Sequence, residues 1–310
     1  MYSNTKLSVA ILGAGAWGAS LANLAAANGH QVRVWSRQGS QMEAVLTDAQ
    51  IILSAISMIG VRDVASQVQS FPLSPETIFV TATKGLDPQT TCTPSQIWQQ
   101  IFPNHAVVVL SGPNLSKEIQ MELPAATVVA SNIPTAAEVV QLVFSSHRFR
   151  VYTNPDPLGV ELGGTLKNVI AIAAGVCDGL QLGTNAKAAL VTRGLTEMVR
   201  IGNNWGAKTE TFYGLSGLGD LLATCNSPLS RNYQVGYQLA GGKSLTETLA
   251  NLQGTAEGVN TCRVLMQRAK QQNIAVPITE QVYRLLQGEI TPGQALDELM
   301  LRDIKPEYNY

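Results

Sequence analysis

Residues 7–18 read Leu7-Ser8-Val9-Ala10-Ile11-Leu12-Gly13-Ala14-Gly15-Ala16-Trp17-Gly18. A short β-rich run ends in the pattern G-x-G-x-x-G, and a helical stretch, Ala19–Ala27, follows at once. That order makes the hexapeptide specific, because a lone glycine pattern is a weak signal. Gly13 permits the tight turn, Gly15 lets backbone approach a pyrophosphate, and Gly18 lets strand and helix pack closely. The pyrophosphate then rests on amide groups at a helix N-terminus. The competing reading is a plain strand–turn–helix whose glycines serve packing alone. The flanking strand and helix favour the dinucleotide site.

Working outward, Gln31–Trp35, Ile51–Ile56, Thr77–Ala82, Ala106–Leu110, Ala126–Ala130 and Phe149–Tyr152 also read as strands. They are continuous apolar runs rather than alternating ones, as in a parallel sheet covered by helices on both faces. The pattern changes at Asn154-Pro155-Asp156-Pro157, where two prolines break any element and Asp156 can cap the next helix. Beyond it, Leu158–Leu180, Ala186–Asn204, Leu229–Ala240, Ser244–Asn251, Gly258–Gln272, Thr279–Gln287 and Pro292–Leu301 read as helices, and Pro306–Tyr310 as a loose tail. The expected fold is an α/β Rossmann dinucleotide-binding domain over residues 1–154 and an all-α substrate and catalytic domain over 155–310.

A 310-residue chain is long enough for two cores. Net charge −1 and the lack of any Lys/Arg cluster argue against nucleic acid. Cys92, Cys177, Cys225 and Cys262 show no metal-ligand spacing and read as reduced thiols, so no metal is expected. The N-terminal apolar run is too short for a signal peptide, and Val169–Cys177, the longest apolar run, is far below a membrane span. The expectation is a cytoplasmic protein with no membrane insertion.

Cofactor preference is read after the second strand, where NAD enzymes carry an acid for the ribose hydroxyls. Here Ser36-Arg37-Gln38 follows Trp35, and Arg37 is placed to meet a 2′-phosphate. A solvated surface arginine is the alternative. The reading is NADP or NAD, with NADPH preferred.

In the second half, Lys167 and Asn168 interrupt a run of small and apolar residues. A buried lysine has a lowered pKa, which suits it to exchange protons with a hydroxyl near neutral pH. A lysine snorkelling to the surface fits the pattern equally well. Gly214-Leu215-Ser216-Gly217-Leu218-Gly219-Asp220 brings backbone close to something, and Asp220 is either a site acid or a helix cap. Ser230-Arg231-Asn232 offers a phosphate grip. Singly, each is better explained as a cap or a surface group. Behind a dinucleotide fold, together, they point to a site.

With these residues in view the chain resembles the NAD(P)-dependent glycerol-3-phosphate dehydrogenases of the soluble bacterial type. The resemblance runs from Gly13 to about Gly258 and is weaker beyond. It is carried by Gly13–Gly18, Thr83-Lys84-Gly85, Ser111-Gly112-Pro113-Asn114, Glu161–Ala171, Gly217–Asp220, Ser230–Asn232 and Ala256-Glu257-Gly258. It implies that Lys167 accepts the proton of the C2 hydroxyl, that Lys84 contacts cofactor and substrate, and that Asp220 is the acid beside the catalytic lysine. It also implies substrate contacts at Gly112 and Asn114, and substrate-phosphate ligands at Ser230, Arg231 and Asn232. Cofactor contacts are implied at Ala16, Trp17, Arg37, Ser116, Arg231, Thr255 and Glu257. The implied reaction interconverts dihydroxyacetone phosphate and sn-glycerol 3-phosphate, supplying phospholipid synthesis, and a homodimer is a family expectation.

Two departures stand out. Only about fifteen residues separate Trp35 from Ile51, and Ser40–Ala49 leave room for one short helix. The sheet is therefore expected to lack the edge strand of the 3-2-1-4-5-6 order, which supports the adenosine pocket. Ser57-Met58 stand where the family usually has proline, which implies a changed loop. The alternatives are a dehydrogenase of 3-hydroxyacids or 6-phosphogluconate, opposed by Ser230-Arg231-Asn232 and Gly219-Asp220, and a nucleotide sensor without turnover, opposed by Lys84, Lys167 and Asp220.

Overall fold

The computed structural model describes residues 6–39, 41–252, 254–304 and 306–307. Positions 308–310 of the expected tail, and Ser40 in the short segment after Trp35, lie outside the described residues. The first part runs β1 (Ser8–Leu12), α1 (Ala16–Ala27), β2 (Gln31–Trp35), α2 (Met42–Leu46), β3 (Ile51–Ser54), α3 (Val61–Gln69), β4 (Ile78–Thr81), α4 (Pro94–Ile101), β5 (Val107–Ser111), α5 (Ser116–Gln120), β6 (Ala125–Ala130), α6 (Pro134–Phe144) and β7 (Phe149–Asn154). All seven expected strands are present, in the order β2-β1-β3-β4-β5-β6-β7.

Alternate residues of β1 explain the continuous apolar run. Val9 and Ile11 enter a core shared with α1 and α6, while Ala10 and Leu12 enter another shared with α2, α3 and α4. β2 pairs only with β1 and forms the edge. The five-residue α2 is the sole element described between β2 and β3, so the expected loss of one edge strand is observed.

The expectation of an all-parallel sheet needs correction. β6 is antiparallel to β5, pairing Ser111 with Val128, although β7 is again parallel to β6. An antiparallel neighbour needs no return crossover, and helix length alone does not set the direction, since the equally short α2 joins the parallel β2 and β3.

After β7 every described element is helical: α7 (Pro157–Gly179), α8 (Gly183–Asn204), α9 (Asp220–Cys225), α10 (Arg231–Ala240), α11 (Leu245–Ala250), α12 (Glu257–Gln271), α13 (Pro277–Leu286) and α14 (Pro292–Met300). Asp156 caps α7 as expected, accepting from Gly159 N at 2.9 Å. It also holds Lys208 N and Thr211 Oγ1. α7 is long and apolar enough to cross a membrane, but 94% of its apolar window is buried inside the protein, so it serves as the core helix. Its small residues admit α10 at contact distance. A Cβ at Gly175 would lie 2.0 Å from Tyr233 O, and one at Gly236 would lie 1.9 Å from Ile172 O. That crossing brings Arg231 and Asn232 to the level of Lys167 and Asn168.

The segment before α9 departs from the glycine loop expected there. Leu215–Gly219 forms a π-helical turn, with Gly219 N donating to Gly214 O, and it runs directly into α9. Asp220 is the first residue of that helix rather than its cap.

Candidate active site

β1 delivers the chain to Gly13, whose φ of +121° is open to glycine and strained for other residues. A Cβ at Gly18 would lie 1.9 Å from Gly13 O, so this glycine lets strand and helix touch. At Gly15 an added Cβ would meet no protein atom within 4 Å. Protein packing therefore does not require glycine there, and the space over the turn is open to a group lying against it. α1 starts at Ala16 with no acidic residue in its first turn, which leaves its positive end available to an anion. Trp17 Nε1 donates to Ala82 O at 3.3 Å, tying the turn to the end of β4.

Gly15, Ala16 and Trp17 line a cavity of about 870 Å³ that extends to Lys84, Lys167 and Asp220. Its far wall is Ser230, Arg231 and Asn232 at the start of α10, with Thr255 and Glu257 at the start of α12. Glu257 Oε1 accepts from Met58 N at 3.2 Å, a link that needs a free N–H at residue 58. Burial raises the Glu257 carboxyl, with this N–H and Arg231 opposing.

At the centre, Asp220 bridges two ammonium groups. Its Oδ2 lies 2.6 Å from Lys84 Nζ and its Oδ1 lies 3.0 Å from Lys167 Nζ. Lys84 Nζ also donates to Gly112 O at 3.3 Å, and Lys167 Nζ to Thr224 Oγ1 at 2.5 Å. Thr224 Oγ1 donates in turn to Asp220 Oδ1 at 3.1 Å. Burial pulls Lys167 down from 10.5 to about 8; Lys84 pushes the same way, while Asp220 opposes both. Burial works against ionised Asp220, but the Lys167 and Lys84 charges prevail and hold it below the usual carboxylate range. The buried-lysine reading of Lys167 thus displaces the snorkelling one. An amine that titrates near neutrality inside a polar pocket can take up or release a proton at a substrate hydroxyl.

The phosphate-grip residues occupy different environments. Ser230 caps α10, its hydroxyl accepting from Tyr233 N. Asn232 is buried; its Nδ2 donates to Asn168 Oδ1 at 2.8 Å and its Oδ1 accepts from Gly258 N at 2.9 Å. One Asn232 N–H remains for a ligand. Arg231 is exposed and makes no hydrogen bond or ion pair to the described residues.

Asn114 and Ser116 line the same cavity. Gly13 and Gly18 lie beneath the turn, and Gly112 lies behind Lys84, to which it offers its carbonyl. Arg37 stands apart from the cavity lining, exposed at the end of β2 with its guanidinium toward Gly60. The sequence reading passed over Thr224, although its spacing four residues after Asp220 puts both on one face of α9. It gives no site role to Lys117, and to Ser57 only a changed loop, although both line the cavity.

Beyond the cavity, α7 is clasped to the first part by Glu161. Its Oε1 accepts from Ser95 N at 2.8 Å and its Oε2 from Ser95 Oγ at 2.5 Å, so it satisfies the N-terminus of α4. Burial pushes Glu161 up to about 7, against the opposing effect of those hydrogen bonds.

Comparison with known proteins adds an independent line. Residues 8–48 and 39–137 match the family profile described as NAD-dependent glycerol-3-phosphate dehydrogenase N-terminus, and residues 156–297 match its C-terminus. A protein of Trichormus variabilis named glycerol-3-phosphate dehydrogenase [NAD(P)+] is 82% identical over 98% of this chain and 99% of its own. One of the same name from Synechocystis is 59% identical, over 99% and 97%. The crystal structure of glycerol-3-phosphate dehydrogenase from Coxiella burnetii superposes with a TM-score of 0.92 at 34% identity, covering 96% of this chain and 99% of that one.

Proposed function

The chain belongs to the NAD-dependent glycerol-3-phosphate dehydrogenase family, and from that premise we propose how its own residues divide the work. It is an NAD(P)-dependent oxidoreductase acting on a CH–OH group, and it interconverts dihydroxyacetone phosphate and sn-glycerol 3-phosphate. The observation that carries the division of labour is one cavity lined both by the Gly15–Trp17 turn and by the Lys84–Asp220–Lys167 cluster.

The open space over Gly15 and the unopposed start of α1 fit a dinucleotide pyrophosphate, with Ser116, Arg231, Thr255 and Glu257 completing its contacts. When bound, the nicotinamide carries hydride to or from C2. In oxidation, neutral Lys167 takes the proton of the C2 hydroxyl at Nζ; in reduction it returns that proton to the oxygen. Asp220 holds Lys167 and Lys84 at fixed positions, and Lys84 offers its charge to the substrate oxygen. Ser230, Arg231 and the free N–H of Asn232 bind the phosphate, with Arg231 supplying the charge.

Arg37 favours the 2′-phosphate of NADPH, since no acid follows β2. Residues 1–154 form the dinucleotide domain and 155–310 the substrate domain, a division supported by the end of β7 at Asn154. Pairing into a homodimer, residence in the cytoplasm without membrane insertion, and supply of phospholipid synthesis belong to the same proposal.

The test mixes protein with dihydroxyacetone phosphate and follows loss of NADPH, then of NADH, with Lys167→Ala alongside. Fast oxidation that collapses in the variant supports the substrate and the proton role together. Tight cofactor binding without turnover would overturn both and bring forward a nucleotide sensor.

A further inference from the structure

Thr127, on β6, is fully buried, and its hydroxyl donates to Ser111 O at 2.9 Å. A hydroxyl has one hydrogen, so toward Asn114 the Thr127 oxygen can only accept, and Asn114 Nδ2 donates to it at 2.9 Å. The amide is planar, and turning its NH₂ toward β6 turns its carbonyl oxygen the other way. Asn114 Oδ1 is buried and has no hydrogen-bond partner among the described residues, while Asn114 itself lines the cavity. The intervening chain is tightly held: a Cβ at Gly112 would lie 3.0 Å from both Cα and Oγ1 of Thr127.

We infer that Thr127 is a positioning residue: it fixes the Asn114 amide so that Oδ1 accepts a hydrogen bond from the substrate hydroxyl on the carbon farthest from the phosphate. This rests on the substrate assignment above. The fixed orientation selects a donor. A terminal hydroxyl donates to Oδ1, a methyl group leaves it unpartnered, and a carboxylate meets it oxygen to oxygen. The last point matters beside Lys84 and Lys167, whose charges would otherwise favour an acidic group.

The experiment compares kcat and KM for dihydroxyacetone phosphate and for hydroxyacetone phosphate, which lacks only that hydroxyl. It uses wild type, Thr127→Val, Thr127→Ser, Asn114→Ala and the Thr127→Val/Asn114→Ala double variant. The wild type should prefer dihydroxyacetone phosphate. Thr127→Val should cut that preference about tenfold, the scale of one neutral hydrogen bond, chiefly through KM. Thr127→Ser should retain the preference, and the double variant should be no worse than Asn114→Ala, because Thr127 acts through Asn114.

An unchanged preference in Thr127→Val, or additive losses in the double variant, would overturn the inference. If Thr127→Val melts near assay temperature, Thr127→Ser and Asn114→Ala decide. Preference kept in the first and lost in the second supports the positioning role, and any other pairing overturns it. A wild type that reduces neither substrate overturns the substrate assignment as well, whereas a wild type active on dihydroxyacetone phosphate with unmoved variants overturns the positioning role alone.

Discussion

The Lys167 ammonium nitrogen lies 3.0 Å from Asp220 Oδ1, with the Lys167 side chain 8% exposed and that of Asp220 3%. Burial favours the neutral amine, and the carboxylate restrains that tendency. Oxidation of glycerol 3-phosphate needs neutral Lys167, so its rate should rise with pH and level off above about 8. Reduction needs the protonated form and should fall over the same range. In Asp220→Asn the restraint is gone and the opposing Lys84 charge remains, so the Lys167 pKa should fall and the oxidation limb should move to lower pH. A loss of rate of about a hundredfold or more is expected for the misplaced amines. A limb that stays in place would show that Lys167 is not the titrating group.

The two outer features of the glycine turn should separate under mutation. Gly18→Ala drives a Cβ to 1.9 Å from Gly13 O and should lower the melting temperature markedly. Gly15→Ala meets no protein atom within 4 Å and should fold normally, yet weaken NADH binding about tenfold or more. Melting curves and cofactor titration of both variants check this. Normal binding by Gly15→Ala would remove the pyrophosphate from that turn.

Arg37 sits at the exposed end of β2, which is the sheet edge. Its proposed partner is the 2′-phosphate, and a charge-assisted contact there is worth about tenfold or more. Arg37→Gln should lower kcat/KM for NADPH by that factor and leave NADH nearly unchanged. Equal effects on both cofactors would make Arg37 a solvated surface group.

Glu161 makes a stability prediction rather than a catalytic one. Its pKa is 4.5 as a free side chain and about 7 in the fold. Between those values the folded chain binds the extra proton, so this group's contribution falls as pH rises from about 5 to 7. The shift corresponds to about 3 kcal/mol at its limit. Glu161→Gln keeps the shape and loses the titration. Its melting temperature should gain on wild type across pH 5 to 7.5, and a pH-independent difference would count against a buried, titrating Glu161.

The local elements were legible in the sequence because each is written in neighbouring residues. Seven apolar runs mark seven strands, and G-x-G-x-x-G between β1 and α1 marks the turn. Asn154-Pro155-Asp156-Pro157 marks the change to helix, and the short interval from Trp35 to Ile51 marks the missing edge strand. What the sequence left open depended on partners far along the chain. Strand direction is one case: β6 is as apolar as its neighbours, and its antiparallel pairing with β5 is written in no local pattern. Lys167 is another. Its own helix is compatible with either a buried or a snorkelling side chain, and the choice is made by Asp220, Lys84 and Thr224 from other elements. Thr127 carries no motif at all, because its role follows from where its one hydroxyl hydrogen points. Sequence determined the elements and the inventory of chemical groups, since propensity and periodicity are local. Only the tertiary structure decided protonation and orientation, since burial and hydrogen-bond direction belong to neighbours brought together by folding.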